Sequence, residues 1–328
     1  MKKIMKIFKN PLFTFIIGGI LFSSIIVIAE SINSSEILYD NSNSVTSYDN
    51  VQDVLNEMYN IIEHNSTGFS LLMHSPTGLS TELIGGLYRY QGVPDANNNV
   101  DNYICFGTTN KSDCVGDTDK YMYRIIGINT SGQMKLIKKE ALNTAYKWNS
   151  STGVDWVHSD LYAGLNESYF LTNNTYVPDS SWGDRIVVSD WHYATFSDVN
   201  VSASTMANTE LAAETVSAKI GLWYIHDYYY SLEGGRNCSS RDNAEICRKS
   251  WIYLLNNDTN PPNTNREFTI SRYSTNTAWY VLIGGGGGGL DVIYNMTFAH
   301  SIRPVFYLRA TETISSGNGT INDPYILS

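Results

Sequence analysis

The sequence near the C-terminus reads Ser301-Ile302-Arg303-Pro304-Val305-Phe306-Tyr307-Leu308, and its second half consists of aliphatic and aromatic residues. Valine, phenylalanine and tyrosine are enriched in β-strands because their side chains pack well on a pleated surface. Pro304 has no N–H to donate, so it belongs at the start or the edge of a strand. The sequence therefore predicts a last strand at Val305–Leu308 that is entered through Pro304.

Three upstream segments have the same character, at 266–270, 278–283 and 290–298. We expect them to join the last strand in one antiparallel sheet. Six consecutive glycines, 284–289, satisfy the G-x-G-x-x-G pattern of dinucleotide sites, but strand-like sequence follows them instead of the helix that such a site requires. We interpret the glycines as a flexible hairpin tip. The alternative is a loop that lets a partner approach the backbone closely.

The composition is that of a folded chain with a polar, weakly charged surface. Of 328 residues, 42% are hydrophobic and 16% are charged, and 23 are tyrosines. The formal net charge is −10, but four lysines precede the first acidic residue, so 18 basic and 32 acidic residues remain from residue 30 onward. This acidic balance repels phosphate backbones, and we predict no nucleic-acid partner.

The N-terminus has the pattern of an export segment. Residues 1–10 form a basic leader, and residues 11–29 carry no charge. As a helix, 11–29 would span roughly 28 Å, about the thickness of the bilayer core. The lysines before it place the N-terminus in the cytoplasm and the rest outside. Val27-Ile28-Ala29 also resembles a signal-peptidase site, so a retained single-pass anchor and a cleaved signal segment both remain open.

Between this segment and the main domain we predict a stub and a linker. Residues 30–63 comprise an extended stretch and an amphipathic helix whose apolar residues recur at helical spacing. The apolar stripe either packs on the main domain or mediates self-association. Residues 64–84 are rich in polar and turn-forming residues and are expected to be a linker, which leaves 85–328 as an extracellular domain.

Four cysteines form two close couples, Cys105 with Cys114 and Cys238 with Cys247. An even number of cysteines in an exported chain indicates disulfides. Three pairings are possible, and two local loops are the simplest. The short C-x2–4-C spacing of a zinc site is absent from the sequence.

Local patterns within the domain predict several further elements. Strands are expected at 86–90, 103–106, 121–128 and 133–139, the last two joined by a hairpin turn that contains Gly132. Ser159 is placed to cap a short helix, and a second helix is expected over 209–225.

A widespread bacterial family of exported domains shows a similar series of segments. The segments that carry the resemblance are Tyr123-Arg124-Ile125-Ile126-Gly127-Ile128, Lys135-Leu136-Ile137, Trp156 with Ser159, Leu161, Leu165 and Asn166, Ser271-Arg272, Ala278-Trp279-Tyr280-Val281, Gly289 and 302–308. That family has no assigned function and is similar to the C-type-lectin-like fold of formylglycine-generating enzymes and sulfatase-modifying proteins. The resemblance covers about residues 85–310.

The resemblance implies an α+β, C-type-lectin-like mixed fold with short antiparallel strands, about two helices and long loops. Formylglycine-generating enzymes use a cysteine pair in the C-terminal part of the fold, whereas no cysteine follows Cys247, so that activity is not carried over. Calcium-dependent lectins use Glu-Pro-Asn or Gln-Pro-Asp loops, for which Val93-Pro94-Asp95 and Val177-Pro178-Asp179 are poor substitutes. We therefore predict no metal, no cofactor and no catalytic residue.

Aromatic and amide residues near the C-terminus are the best candidates for a binding surface, because such side chains pack on and hydrogen-bond to partners. The candidate ligand-binding residues are Arg272, Tyr273, Asn276, Trp279, Tyr280, Tyr294 and Asn295. The favoured function is an exported bacterial cell-surface protein that binds a protein or glycan through this face. The alternatives are an enzyme that uses His158, His226, His300 or Asp227, and a structural subunit of a surface filament.

Overall fold

The computed structural model describes residues 71, 77–92, 100–115, 120–168, 170–171, 177–197, 201–239, 247, 250–252, 266–282, 289–293 and 296–328. All of them belong to one compact unit, His64–Ser328. The predicted leader, the segment 11–29 and the stub 30–63 lie outside the described residues. Within the described ranges, no helix is long and apolar enough to cross a bilayer.

The described residues form an α+β structure with many short strands and few, short helices. The strands are β1 (Leu79–Ile84), β2 (Leu87–Tyr90), β3 (Tyr103–Cys105), β4 (Met122–Asn129), β5 (Met134–Lys138), β6 (Tyr146–Lys147), β7 (Ile186–Val187), β8 (Ser189–His192), β9 (Thr215–Ala218), β10 (Ile220–Gly221), β11 (Arg266–Ser274), β12 (Thr277–Leu282), β13 (Gly289–Ile293), β14 (Ala299–His300), β15 (Val305–Leu308), β16 (Ile314–Ser316) and β17 (Tyr325–Leu327). The α-helices are α1 (Lys111–Cys114), α2 (Asp160–Ala163), α3 (Ser180–Gly183), α4 (Ala203–Leu211) and α5 (Ile225–Tyr230). β1 falls within the range expected to be a linker and pairs with β2.

β15 lies inside the main mixed sheet, whose order is β10-β15-β5-β4-β3-β17-β16. β5 pairs with one side of β15, and β10 and β7 pair with the other. Val305, Phe306 and Leu308 have no solvent exposure. The predicted strand Val305–Leu308 is therefore confirmed, and Pro304 immediately precedes it, but it is not the last strand, because β16 and β17 follow it.

β11, β12 and β13 do not join β15 as expected but form a separate three-stranded sheet. The chain leaves β13 and pairs with β6 through β14 before it reaches Pro304, and β15 then joins the main sheet. β12 and β13 do pair as a hairpin, with Leu282 opposite Gly289. The remaining glycines, 284–288, lie outside the described residues.

The predicted hairpin is confirmed as β4 and β5, and it is held by its turn. The Asn129 side chain accepts hydrogen bonds from the backbone N–H groups of Ser131 and Gln133, at 3.0 and 2.9 Å. Gly132 has a φ of 78°, which a residue without a Cβ adopts easily. The Ser159 cap is also confirmed, because its hydroxyl accepts from Tyr162 N–H at the start of α2.

The helix predicted over 209–225 is wrong. The helix in this region is α4, which begins earlier, after the cap residue Ser202, and ends at Leu211. The chain then forms β9, which pairs with β8, and β10, which pairs with β15. Strand pairing therefore overrides the local helical preference of this segment.

Both cysteine couples form disulfides, Cys105 with Cys114 and Cys238 with Cys247. The two local loops that the sequence favours are confirmed. Cys105 lies in β3 and packs with Met122 and Ile326 in a small apolar cluster beside the main core. Disulfides persist in oxidising compartments, so they indicate an extracellular or secreted location.

Candidate functional site

A polar groove runs between α4, the connected end of the β8–β9 pair at His192 and Thr215, and β11. One part of it has a volume of about 640 Å³, and an adjoining part has a volume of about 550 Å³. Thr195, Thr205 and Thr209 line both parts, so we call the whole feature the threonine groove. Its other lining residues are Asp155, Tyr193, Ala194, Phe196, Ser197, Val201, Ser202, Asn208, Ala212, Ala213, Glu214 and Arg272.

α4 forms one wall of the groove because its two faces differ in polarity. Ala203, Met206, Ala207 and Glu210 are buried and recur at helical spacing, so this face packs inward. Thr205, Asn208 and Thr209 are exposed on the opposite side. The Ser202 hydroxyl caps the helix by accepting from Thr205 N–H at 3.2 Å. The helix therefore presents two hydroxyls and an amide to the groove.

The β8–β9 hairpin forms the second wall. Trp191 anchors it, since the indole ring is fully buried and its Nε1 donates to the Ala218 carbonyl at 3.0 Å. Beyond β8, Tyr193 N–H donates to the Glu214 carbonyl, and the Tyr193 hydroxyl donates to Glu214 Oε2, both at 3.0 Å. Partial desolvation and then the Glu214 carboxylate raise the pKa of the Tyr193 phenol. The hydrogen bond to Glu214 makes the Tyr193 hydroxyl a fixed polar group of the groove wall.

β11 carries Arg272 into the groove. The backbone N–H of Arg272 donates to the Ala194 carbonyl, and the Arg272 carbonyl accepts from the backbone N–H of Phe196, both at 2.8 Å. Residues 194–196 therefore extend the small sheet beside β11. On its other side, Arg272 pairs with Ala278 of β12, so neighbouring strands hold the backbone of this residue on both sides. The Arg272 side chain is partly buried.

Asp155 closes one end of the groove from a separate loop. It caps a one-turn 3-10 helix, Trp156–His158, where the Asp155 Oδ1 accepts from the backbone N–H of His158 at 3.1 Å. The same oxygen lies 2.6 Å from Nδ1 of the exposed His158 ring. Asp155 is thus held in position by partners outside the groove.

Behind the groove, the buried carboxylate of Glu210 connects three elements. Its Oε1 accepts from Ile225 N–H at 3.0 Å and from the Ser271 hydroxyl at 2.5 Å. Its Oε2 accepts from His226 N–H at 3.0 Å and lies 2.6 Å from His226 Nδ1. Because these partners belong to α5 and β11, Glu210 fixes α4 against both and so sets the distance between the groove walls.

Asp227 is held in the core by two cations. Arg89 Nε and Nη2 donate to its Oδ1 at 3.1 and 3.0 Å, and Lys135 Nζ lies 2.6 Å from its Oδ2. Burial raises the pKa of Asp227, but Lys135 and Arg89 outweigh burial and hold that pKa below its ordinary value. Burial lowers the pKa of Lys135 to about 8. All three side chains are buried, which is the arrangement of a structural network.

The histidines considered for catalysis do not line the groove. His226 and Asp227 are in the interior, and burial, opposed by Glu210, lowers the pKa of His226. His158 is at the surface and pairs with Asp155. His300 is buried in β14, where its ring stacks near Tyr280, and burial lowers its pKa to about 4.

Of the residues proposed for ligand binding, Arg272 lines the groove. Tyr273 is partly exposed next to it and contacts the Trp279 ring, with 5.9 Å between ring centroids. Asn276 is exposed in the turn between β11 and β12.

The other proposed residues are buried or not described. Trp279 is 1% exposed and packs edge-on against Phe196, and Tyr280 is 3% exposed. Both faces of β12 are covered at this point, so strand alternation does not bring either ring to the surface. Tyr294 and Asn295 lie outside the described residues.

The residues of α4 and of the β8–β9 hairpin were missed by sequence reasoning. A usable signal was present, because Ser202 is followed by apolar residues at positions 203, 206 and 207. No local pattern, however, shows that this helix faces Arg272.

We compared the chain with protein-family models, curated proteins and solved structures, and found no match in any of the three comparisons.

Proposed function

We propose that this chain is an exported bacterial cell-surface protein whose lectin-like domain binds an extracellular glycan in the threonine groove. The α+β architecture, with a mixed sheet, short helices and long connections, supports the C-type-lectin-like assignment. The two disulfides support exposure outside the cell.

The observation that carries this proposal is the lining of the groove. Its walls present the hydroxyls of three threonines, the Asn208 amide and the Tyr193 phenol. The Thr209 hydroxyl donates to the Thr205 carbonyl and the Tyr193 hydroxyl donates to Glu214, so both keep oxygen lone pairs that accept from sugar hydroxyls. The Asn208 amide can both donate to and accept from a sugar. The large apolar lining residues, Phe196 and Val201, are buried. Protein interfaces rely on large apolar and aromatic side chains at their centre, so the groove favours a glycan over a protein as its ligand.

A glycan array probed with the purified full chain tests this function. In the variant Thr205→Ala/Thr209→Ala, alanine favours the helix at both positions, so α4 remains intact. Loss of two hydrogen bonds, each contributing about 0.5–1.5 kcal/mol, weakens binding by a factor of roughly 5 to 150. The matched control is Thr130→Ala/Thr311→Ala, which changes two exposed threonines that do not line the groove.

We expect the wild type and the control variant to bind the same glycans and the groove variant to lose affinity. Absence of binding to every glycan would reject glycan recognition. Equal binding by all three proteins would show that the glycan binds outside the threonine groove.

A further inference from the structure

Within the described part of the groove, the Arg272 guanidinium group has no oppositely charged partner. Among the described residues, no hydrogen bond or ion pair is formed by its guanidinium group, although the side chain is partly buried. Two buried arginines do have carboxylate partners, since Arg89 pairs with Asp227 and Arg303 pairs with Glu267. Partial burial of an unpaired charge is unfavourable, so an anionic ligand at this position would gain a favourable interaction.

The two carboxylates of the groove already have partners. Glu214 accepts from the Tyr193 hydroxyl, and Asp155 pairs with His158. Both carboxylates raise the pKa of Tyr193 and Arg272 lowers it, so the three charges surround the same phenol. Asp155 and Glu214 repel a ligand in proportion to its negative charge, so they disfavour closely spaced charges more than a single carboxylate. A ligand with one carboxylate among hydroxyls would pair with Arg272 and hydrogen-bond to the threonines.

We propose that Arg272 selects acidic glycans of the uronic acid type, with one carboxylate per sugar paired to its guanidinium group. This inference rests on the proposed function, because it assigns the chemical class of the glycan that the groove binds. A guanidinium group presents a planar fork of N–H donors that matches both oxygens of a carboxylate. The surrounding hydroxyl and amide groups then contact the rest of the sugar.

The test is a glycan array that carries galacturonate, glucuronate and mannuronate trisaccharides, each beside its methyl ester and beside neutral oligosaccharides. Esterification removes the charge and keeps the ring hydroxyls. We expect at least one acid to bind at least about tenfold more tightly than its ester, as loss of a charge-assisted hydrogen bond predicts. Arg272→Gln should abolish this preference and Arg272→Lys should retain part of it, because lysine keeps the charge but not the fork.

Arg236→Gln is the matched control. Arg236 is an exposed arginine that pairs with Glu82 and does not line the groove. Its replacement should leave the preference for the acid unchanged. Equal binding of acids and esters, or binding of neutral glycans alone, would reject the hypothesis that Arg272 selects acidic glycans. The proposal that the groove binds a glycan would still stand. No binding to any glycan rejects the proposed function itself.

Discussion

Glu210→Gln is the substitution that tests how the groove walls are held together. Glutamine has nearly the same shape as glutamate, but one carboxylate oxygen becomes an NH₂ group. All four groups around the carboxylate, the N–H groups of Ile225 and His226, the Ser271 hydroxyl and the His226 ring, lie within 3.0 Å of its oxygens. In the best orientation the amide oxygen keeps the two His226 contacts. The NH₂ group then faces Ile225 N–H, which loses its acceptor.

The magnitude follows from these contacts. A buried donor without an acceptor costs about 1–3 kcal/mol, and the charge-assisted bonds that remain become weaker. We therefore expect Glu210→Gln to lower the free energy of unfolding by about 2–4 kcal/mol. The control is Glu214→Gln in the groove wall, where one hydrogen bond from the Tyr193 hydroxyl is at stake at an exposed site. There we expect a change below about 1 kcal/mol.

The assay is urea unfolding of the full, oxidised chain at pH 7, followed by tryptophan fluorescence. The free energy of unfolding should decrease with urea concentration at the same slope in all variants, so that a shift of the unfolding midpoint reports a change in stability alone. Hydrogen exchange provides an independent measure, because the amides of Ile225 and His226 should exchange faster in Glu210→Gln. If Glu210→Gln and Glu214→Gln lose the same small amount of stability, the reasoning about the buried carboxylate is refuted.

Two further predictions concern the core. Gly221→Ala should cost about 1–3 kcal/mol of unfolding free energy, because a Cβ at this position would lie 2.3 Å from the Trp191 ring. Gly183→Ala, whose Cβ would be 3.6 Å from its nearest neighbour, should cost less in the same urea assay, and equal costs would contradict the close contact. Burial lowers the pKa of His300 to about 4, below its unfolded value of about 6.5, so the unfolded state binds the proton more readily. As the pH falls from 6.5 to 4, protonation of His300 should therefore lower the free energy of unfolding by at most about 1.4 kcal/mol per pH unit. The decrease is smaller to the extent that solvent reaches the ring. His300→Phe should show a smaller difference between its unfolding free energies at pH 7 and pH 5, and an unchanged difference would disprove the assignment to His300.

The sequence predicts those parts of the fold that depend on neighbouring residues. Asn129 and Gly132 identify the turn between β4 and β5, and Pro304 identifies the start of β15. Arg272 could be selected from its polar surroundings as a residue that lines a groove, whereas Trp279 could not be recognised as buried. The burial of Trp279 depends on Phe196, which lies more than eighty residues away in the sequence.

The groove itself depends on contacts between distant segments. α4, residues 194–196 and β11 meet because Arg272 pairs with Ala194 and Phe196 and because Ser271 donates to Glu210. Neither relation leaves a periodic pattern in the sequence. Local reasoning therefore found one residue of the groove and assigned the helix of its wall to the wrong range.

The position of β17 in the main sheet bears on how the protein is made. β17 pairs in parallel with β3, so Ile104 meets Tyr325 across the sheet although the two residues lie more than two hundred positions apart in the sequence. A ribosome releases the chain from the N-terminus onward, so β3 keeps an unpaired edge until β17 has been made. A chain that lacks β17 would leave that edge open permanently and expose the domain to self-association.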